Sequence, residues 1–221
     1  MTAAAVSGTP GTRLRADALR NRERIVDAAR EAFVLYGPEV PLDEIARDAG
    51  VGNATLYRHF PDRESLIHHV VLSVMDRVSE RAEAAFTEVP EAFDALRRFV
   101  FDAADERVGA LCPMLTHHID GDAPEIVAAR KRLENATWAL MDWGRRSGEL
   151  RSDVDFGDLM VALSQLARPL PGTGCPEIER FVHRHLQIFL DGLRTPRRSR
   201  LTGSAATLED LRSNPVPMQR A

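Results

Sequence analysis

Apolar and polar residues follow each other along most of this chain at the spacing of a helix. Ile25, Ala28, Ala29, Ala32, Phe33 and Tyr36 fall on one face and are followed by Gly37-Pro38, a helix stop. Leu42, Ile45, Ala46 and Ala49 make a second, shorter stripe that ends at Gly50, after which Val51 and Leu56 turn back toward a core. From Leu66 the apolar positions Ile67, Val70, Val71, Val74, Met75, Val78 and Ala82 run on to about Phe86, a length that suits a connector into a second domain. Further helices are predicted from Pro90 through Phe93, Leu96, Phe99 and Val100, and from Pro124 through Ile126, Leu133, Trp138, Met141 and Trp143 to Ser147-Gly148. Two more cover Phe156 to Ala167 and Ile178 to Leu193, on either side of a Pro/Gly loop at Pro169 to Gly174. Alternation at the period of a strand does not run over four or more residues outside these stripes. The pattern predicts an all-α fold of about nine helices.

The stretch from Pro41 to Arg63, PLDEIARDAGVGNATLYRHFPDR, organises the rest. Ala46 is small and sits mid-helix on the apolar face, where a second helix can cross closely. Gly50 can take the left-handed conformation that ends a helix at little steric cost. The next helix then carries small or polar Asn53, Ala54 and Thr55 in its first turn, with Tyr57, Arg58 and His59 after them. That is the layout of a helix-turn-helix, in which the first helix braces and the second offers its N-terminal residues to the major groove of duplex DNA.

This stretch resembles the DNA-binding segment of the TetR family of transcriptional regulators. The resemblance spans Leu42 to Leu66 and is carried by Ile45-Ala46, Ala49-Gly50-Val51, Thr55-Leu56-Tyr57, His59-Phe60 and Arg63-Glu64-Ser65-Leu66. The turn from Gly148 to Val154 resembles one in the family's C-terminal domains. Val40-Pro41 and Gly52 stand where the family often has Ser or Thr ahead of a helix, and Arg63 where it often has Lys. The resemblance implies an N-terminal three-helix DNA-binding domain followed by a helical ligand-binding and dimerisation domain. On this reading residues 1–19 are a flexible arm, 20–64 the DNA-binding domain, 65–194 the helical body and 195–221 a disordered tail.

Composition narrows the function. A net charge of −4 argues against indiscriminate coating of nucleic acid and leaves room for a locally basic DNA face. Asn53 can pair bidentately with adenine, and Ala54 and Thr55 lie beside it at the groove end of the helix. Tyr57 and His59 resemble the family's phosphate-contacting aromatic pair. Arg58 and Arg63 can reach the backbone, as can Arg22 in an Arg-rich arm that also holds Arg13, Arg15, Arg20 and Arg24.

One such head reads only a few base pairs, so specific binding to a palindromic operator calls for a homodimer. Leu159, Leu163, Leu166, Phe181, Leu186, Phe189 and Leu193 cover more than one stripe of the last two helices and are the expected interface. By resemblance an unidentified small-molecule effector would bind among the helices from Leu66 to Ser147, with Phe86, Phe101, Met114, His117, Trp138 and Met141 as candidate lining. The expected function is a ligand-released repressor.

No cofactor or metal is expected. Cys112 and Cys175 lack C-x-x-C partners, and adjacent histidines such as His68-His69 and His117-His118 diverge by about 100° on a helix. No apolar run reaches the roughly 18 residues of a membrane span, and no signal-peptide core opens the chain, so a cytoplasmic location is expected. Two alternatives are an architectural DNA-binding protein without an effector and an enzyme using Cys112 or His117. No nucleophile motif or glycine-rich phosphate loop supports the enzyme.

Overall fold

The structure, a computed structural model, describes residues 10–109, 111, 118–167, 178–196 and 199–207. Among them are eight helices: α1 (Pro10–Tyr36), α2 (Leu42–Asp48), α3 (Asn53–His59), α4 (Arg63–Glu88), α5 (Ala92–Asp105), α6 (Pro124–Arg146), α7 (Phe156–Leu166) and α8 (Ile178–Leu193). The described residues hold no strand, only an isolated antiparallel bridge between Leu150 and Arg194. The fold is all-α. No helix among these residues is long and apolar enough to cross a membrane.

The arm expected at residues 1–19 is helical from Pro10 onward. After Gly11 the sequence TRLRADALRNRER contains no breaker and is rich in Arg, Leu and Ala, all good helix formers. The boundary expected after residue 64 also moves. The chain divides into compact units of residues 1–73 and 74–221, so the division falls inside α4. Leu66, Ile67 and Val70 of α4 are fully buried, which makes its first turns part of the first unit's core.

In that first unit Ile25, Ala29 and Phe33 of α1, Ile45 and Ala46 of α2, Leu56 of α3 and Phe60 after it are buried together with the start of α4. Each large side chain so buried contributes roughly 1.5–3 kcal/mol. Gly50, at φ +63°, closes α2 with a two-bond cap: its N–H donates to the Arg47 carbonyl at 2.9 Å, and the Val51 N–H donates to the Ala46 carbonyl at 3.0 Å. No side chain caps the start of α2 or of α3, as Pro41 and Gly52 predict. Asp62 does cap α4, accepting the Ser65 N–H at 2.7 Å.

In the second unit α5 is buried along Phe93, Leu96, Phe99 and Val100, and the core continues through Ile126, Leu140 and Met141 of α6. Leu159 and Leu163 of α7 and Leu186, Leu190 and Leu193 of α8 complete it. The turn between α6 and α7 is built around buried Arg151. Its guanidinium holds Asp153 at 2.6 and 3.0 Å and donates to the carbonyls of Gly192 and Ser199, both at 3.1 Å. Asp155 and Asp158 form a capping box that starts α7.

Of the tail expected to be loose from residue 195, the segment 199–207 lies against this body. Ala206 donates its N–H to Asp158 Oδ1 at 3.2 Å, and a Cβ placed on Gly157 would lie 2.2 Å from the Ala206 carbonyl oxygen. The segment is held by backbone groups, which hydropathy does not register. Residues 208–221 lie outside the described residues.

Candidate nucleic-acid interface

α3 hangs from the head by one side chain. Leu56 is its only buried residue, at 1% exposure. Asn53, Ala54, Tyr57 and Arg58 are exposed, and Thr55 and His59 half-buried. The helix carries no acidic residue, and Arg58 and His59 stand in its last turn, where positive charge suits the helix dipole. The structure therefore brings the six expected contact residues of α3 onto one short, open helix.

Arg22 joins them from α1. Its guanidinium lies over the ring of Phe60, 5.0 Å from the centroid, and its charge acts on His59. His59 Nε2 is buried and meets no hydrogen-bond partner. Burial, then the charges of Arg58 and Arg22, hold the His59 pKa below the usual imidazole value, so the ring is neutral at pH 7. Phe60 in turn packs edge-on against His69, whose Nδ1 lies 2.7 Å from the Ser65 carbonyl.

Arg63 does not belong to this face. It is half-buried, and its Nη1 donates to the carbonyls of Pro38 and Val40 in the loop before α2. Those two carbonyls belong to the loop rather than to a helix, and Arg63 supplies their donor. Arg24, which the sequence grouped with the phosphate-reaching arm, donates to the Gly50 carbonyl at 3.1 Å.

Four of the residues expected to line an effector pocket are among the described residues. Phe86 is exposed and meets Trp143 edge-on at 5.2 Å. Trp138 is exposed beneath the Arg145 guanidinium, 4.7 Å from its ring centroid. Phe101 stacks on His183 at 5.0 Å, and His183 Nε2 lies 2.7 Å from Asp105 Oδ1. Met141 is fully buried in the core. Met114, His117, Cys112 and Cys175 lie outside the described residues. A cavity of about 900 Å³ lies between the start of α7 and the 199–205 segment, and a shallower one of about 610 Å³ is lined by Glu83 and Arg132; none of the expected residues lines either. The described residues contain no group of three or more His, Cys, Asp or Glu placed to hold a metal.

The expected dimer residues separate into two stripes. Leu159, Leu163, Leu186 and Leu193 are buried in the protomer's own core and have no free face to give a partner. Leu166 and Phe189 are half-buried, and Phe181 is exposed. Val161 of α7 and Ile188 of α8 are also exposed and were not among the expected interface residues. The spacing of Phe181 and Ile188, seven apart and off the Leu186–Leu193 row, was the available signal.

A short helix that holds its polar residues outward, braced by two others and followed by a helical body, defines a helix-turn-helix DNA-binding protein. The model of the bacterial regulatory proteins of the tetR family matches residues 25–70, and that of the SbtR-like transcriptional regulator C-terminal domain matches residues 91–195. An HTH-type transcriptional regulator of Staphylococcus aureus is 39% identical over 64 residues, 28% of this chain and 35% of that protein. The chain thus matches about a third of that curated relative's length.

Among solved structures, the TetR transcriptional regulator SCO0520 of Streptomyces coelicolor is 31% identical, with a TM-score of 0.61 over 78% of this chain and 98% of that one. A TetR regulatory protein of Mycobacterium vanbaalenii is 32% identical, with a TM-score of 0.57 over 82% and 99%. The chain belongs to the TetR family of transcriptional regulators.

Proposed function

We propose that this protein is a transcriptional repressor that seats α3 in the major groove of a palindromic operator, as a homodimer, and leaves it when a small molecule binds the helical body. The observation that carries the reading is the open face of α3. Asn53 and Ala54 are exposed and Thr55 half-buried at its N-terminal end, Tyr57 is exposed further along, and Arg58 and His59 stand with Arg22 at the other end. Asn53 and Thr55 read base edges, while Tyr57, Arg58, His59 and Arg22 hold phosphates.

The second copy docks on exposed apolar side chains of α7 and α8, Val161, Phe181 and Ile188. Two heads in fixed register then match half-sites about one helical turn, or a multiple of it, apart. An effector acts by favouring the spacing that misfits the operator. The protein acts in the cytoplasm, where its DNA target lies.

Selection of bound genomic fragments by the purified full-length chain tests the reading. The expected result is a shared two-fold sequence bound at least about a thousand-fold more tightly than random duplex. Equal affinity for all duplexes would make it an architectural protein, and no duplex binding at low salt would sink the reading altogether.

A further inference from the structure

Two guanidinium groups that charge alone assigns to the DNA backbone grip α2 instead. Arg63, the first residue of α4, donates from one nitrogen to both Pro38 and Val40 carbonyls, the latter at 2.7 Å, in the loop that leads into α2. Arg24 of α1, though exposed, donates to the carbonyl of Gly50, the residue that closes α2. The Arg24 guanidinium fills the space over that glycine, where a Cβ would lie 2.4 Å from its Nη2.

α2 needs such a grip. It has seven residues, well short of a helix that persists alone, and no side chain caps its start. α3 is equally short, equally uncapped, and follows α2 through only the four residues Ala49 to Gly52. Any tilt of α2 therefore passes directly to Asn53 through His59. A planar guanidinium presents several donors in fixed directions, which suits it to hold loop carbonyls.

We propose that Arg24 and Arg63 are positioning residues for DNA reading, clamping the two ends of α2 so that α3 meets the groove at one angle, and that neither supplies a phosphate contact. The proposal rests on the DNA-binding reading above and assigns these two arginines a role opposite to the one their charge suggests.

The test is binding of the full-length chain to its selected operator and to random duplex across a salt series. Removal of a phosphate-neutralising cation flattens the slope of log K against log salt by about 0.9. Arg24→Gln and Arg63→Gln are expected to keep the wild-type slope, lose about ten-fold on the operator and lose less than about three-fold on random duplex. Arg63→Lys, whose ammonium can reach the same carbonyls, should recover most of the operator affinity. Arg58→Gln, which removes one cation from each protomer of the dimer, is the comparison and should flatten the slope by about two.

A slope flattened by about two, one cation per protomer, in Arg63→Gln or Arg24→Gln overturns the proposal, as does unchanged operator affinity in both. Should melting show that Arg63→Gln has lost its fold, exposed Arg24→Gln carries the same measurement. A wild-type chain with no preference for any duplex would overturn the DNA-binding reading itself, a result distinct from either.

Discussion

The guanidinium of Arg22 lies over the ring of Phe60, 5.0 Å from its centroid, and so brings a charge from α1 to the last turn of α3. The charges of Arg58 and Arg22 both act on His59, and its burial is the larger reason that its pKa falls below the usual value. The unfolded chain, with histidine near pH 6.5, then binds protons that the folded head refuses. Where the unfolded state binds more protons, stability rises with pH. His59 therefore contributes stability that is complete above about pH 6.5 and is lost as pH falls through the window below it. Thermal unfolding between about pH 7.5 and pH 5.5 should show this loss, and His59→Asn should flatten it. An unchanged pH dependence in the variant would assign the effect to another histidine.

Tyr57 and Asn53 should fail in different ways. Tyr57 is exposed, so Tyr57→Phe removes one hydroxyl without disturbing the core. The loss of a phosphate donor is expected to weaken operator and random duplex alike, by about 1 kcal/mol, or roughly five-fold. On the proposed reading Asn53→Ala removes a base-edge contact, worth about 1–3 kcal/mol of discrimination, and should relax preference at one position of each half-site. Binding profiles across operator variants separate the two. A Tyr57→Phe protein that loses affinity for one sequence only would contradict the phosphate role.

The helices were legible because apolar residues at helical spacing have one solution, and Gly50 marked the turn of the reading motif. Arginine was less legible. Arg22, Arg24 and Arg63 look alike in sequence, yet Arg22 covers Phe60 while Arg24 and Arg63 serve carbonyls of the loops that flank α2. Only the path of the backbone says which carbonyls need a donor. Apolarity had the same limit on α8, where Leu186 and Ile188 are equally hydrophobic and face opposite ways. The ordered segment at 199–207 was invisible for a third reason: Arg151 and Asp158 hold it by its carbonyl and amide groups, which every sequence possesses.

Leu186 and Ile188 give the proposed dimer a clean test. Leu186 is fully buried, whereas Ile188 is 61% exposed. A charge at Leu186 enters the core without a partner and should unfold the body, since burying an unpaired charge costs several kcal/mol. Ile188→Asp should leave helicity and melting nearly unchanged while breaking the pairing of copies, because a like charge would face itself across the two-fold axis. Sedimentation of Ile188→Asp as a folded monomer with weakened operator binding is the expected result. A folded dimer would move the interface off this stripe.

Gly157 offers a sign reversal. A glycine in the first turn of a helix costs about 0.5–1 kcal/mol relative to alanine, so Gly157→Ala ought to stabilise α7 if helix propensity alone decided. The segment crossing it forbids that: the new Cβ would stand 2.2 Å from the Ala206 oxygen and 2.8 Å from that of Thr207, both backbone atoms. Relieving the clash means lifting the segment and breaking the Ala206 bond to Asp158. Gly157→Ala is therefore expected to destabilise the full chain by about 1–3 kcal/mol and to open residues 199–207 to proteolysis. In a chain shortened to remove residues 199–221 the same substitution should become stabilising, since nothing then opposes the propensity gain. Melting of the four proteins measures both signs, and a stabilising effect in the full chain would show that the segment does not rest on α7.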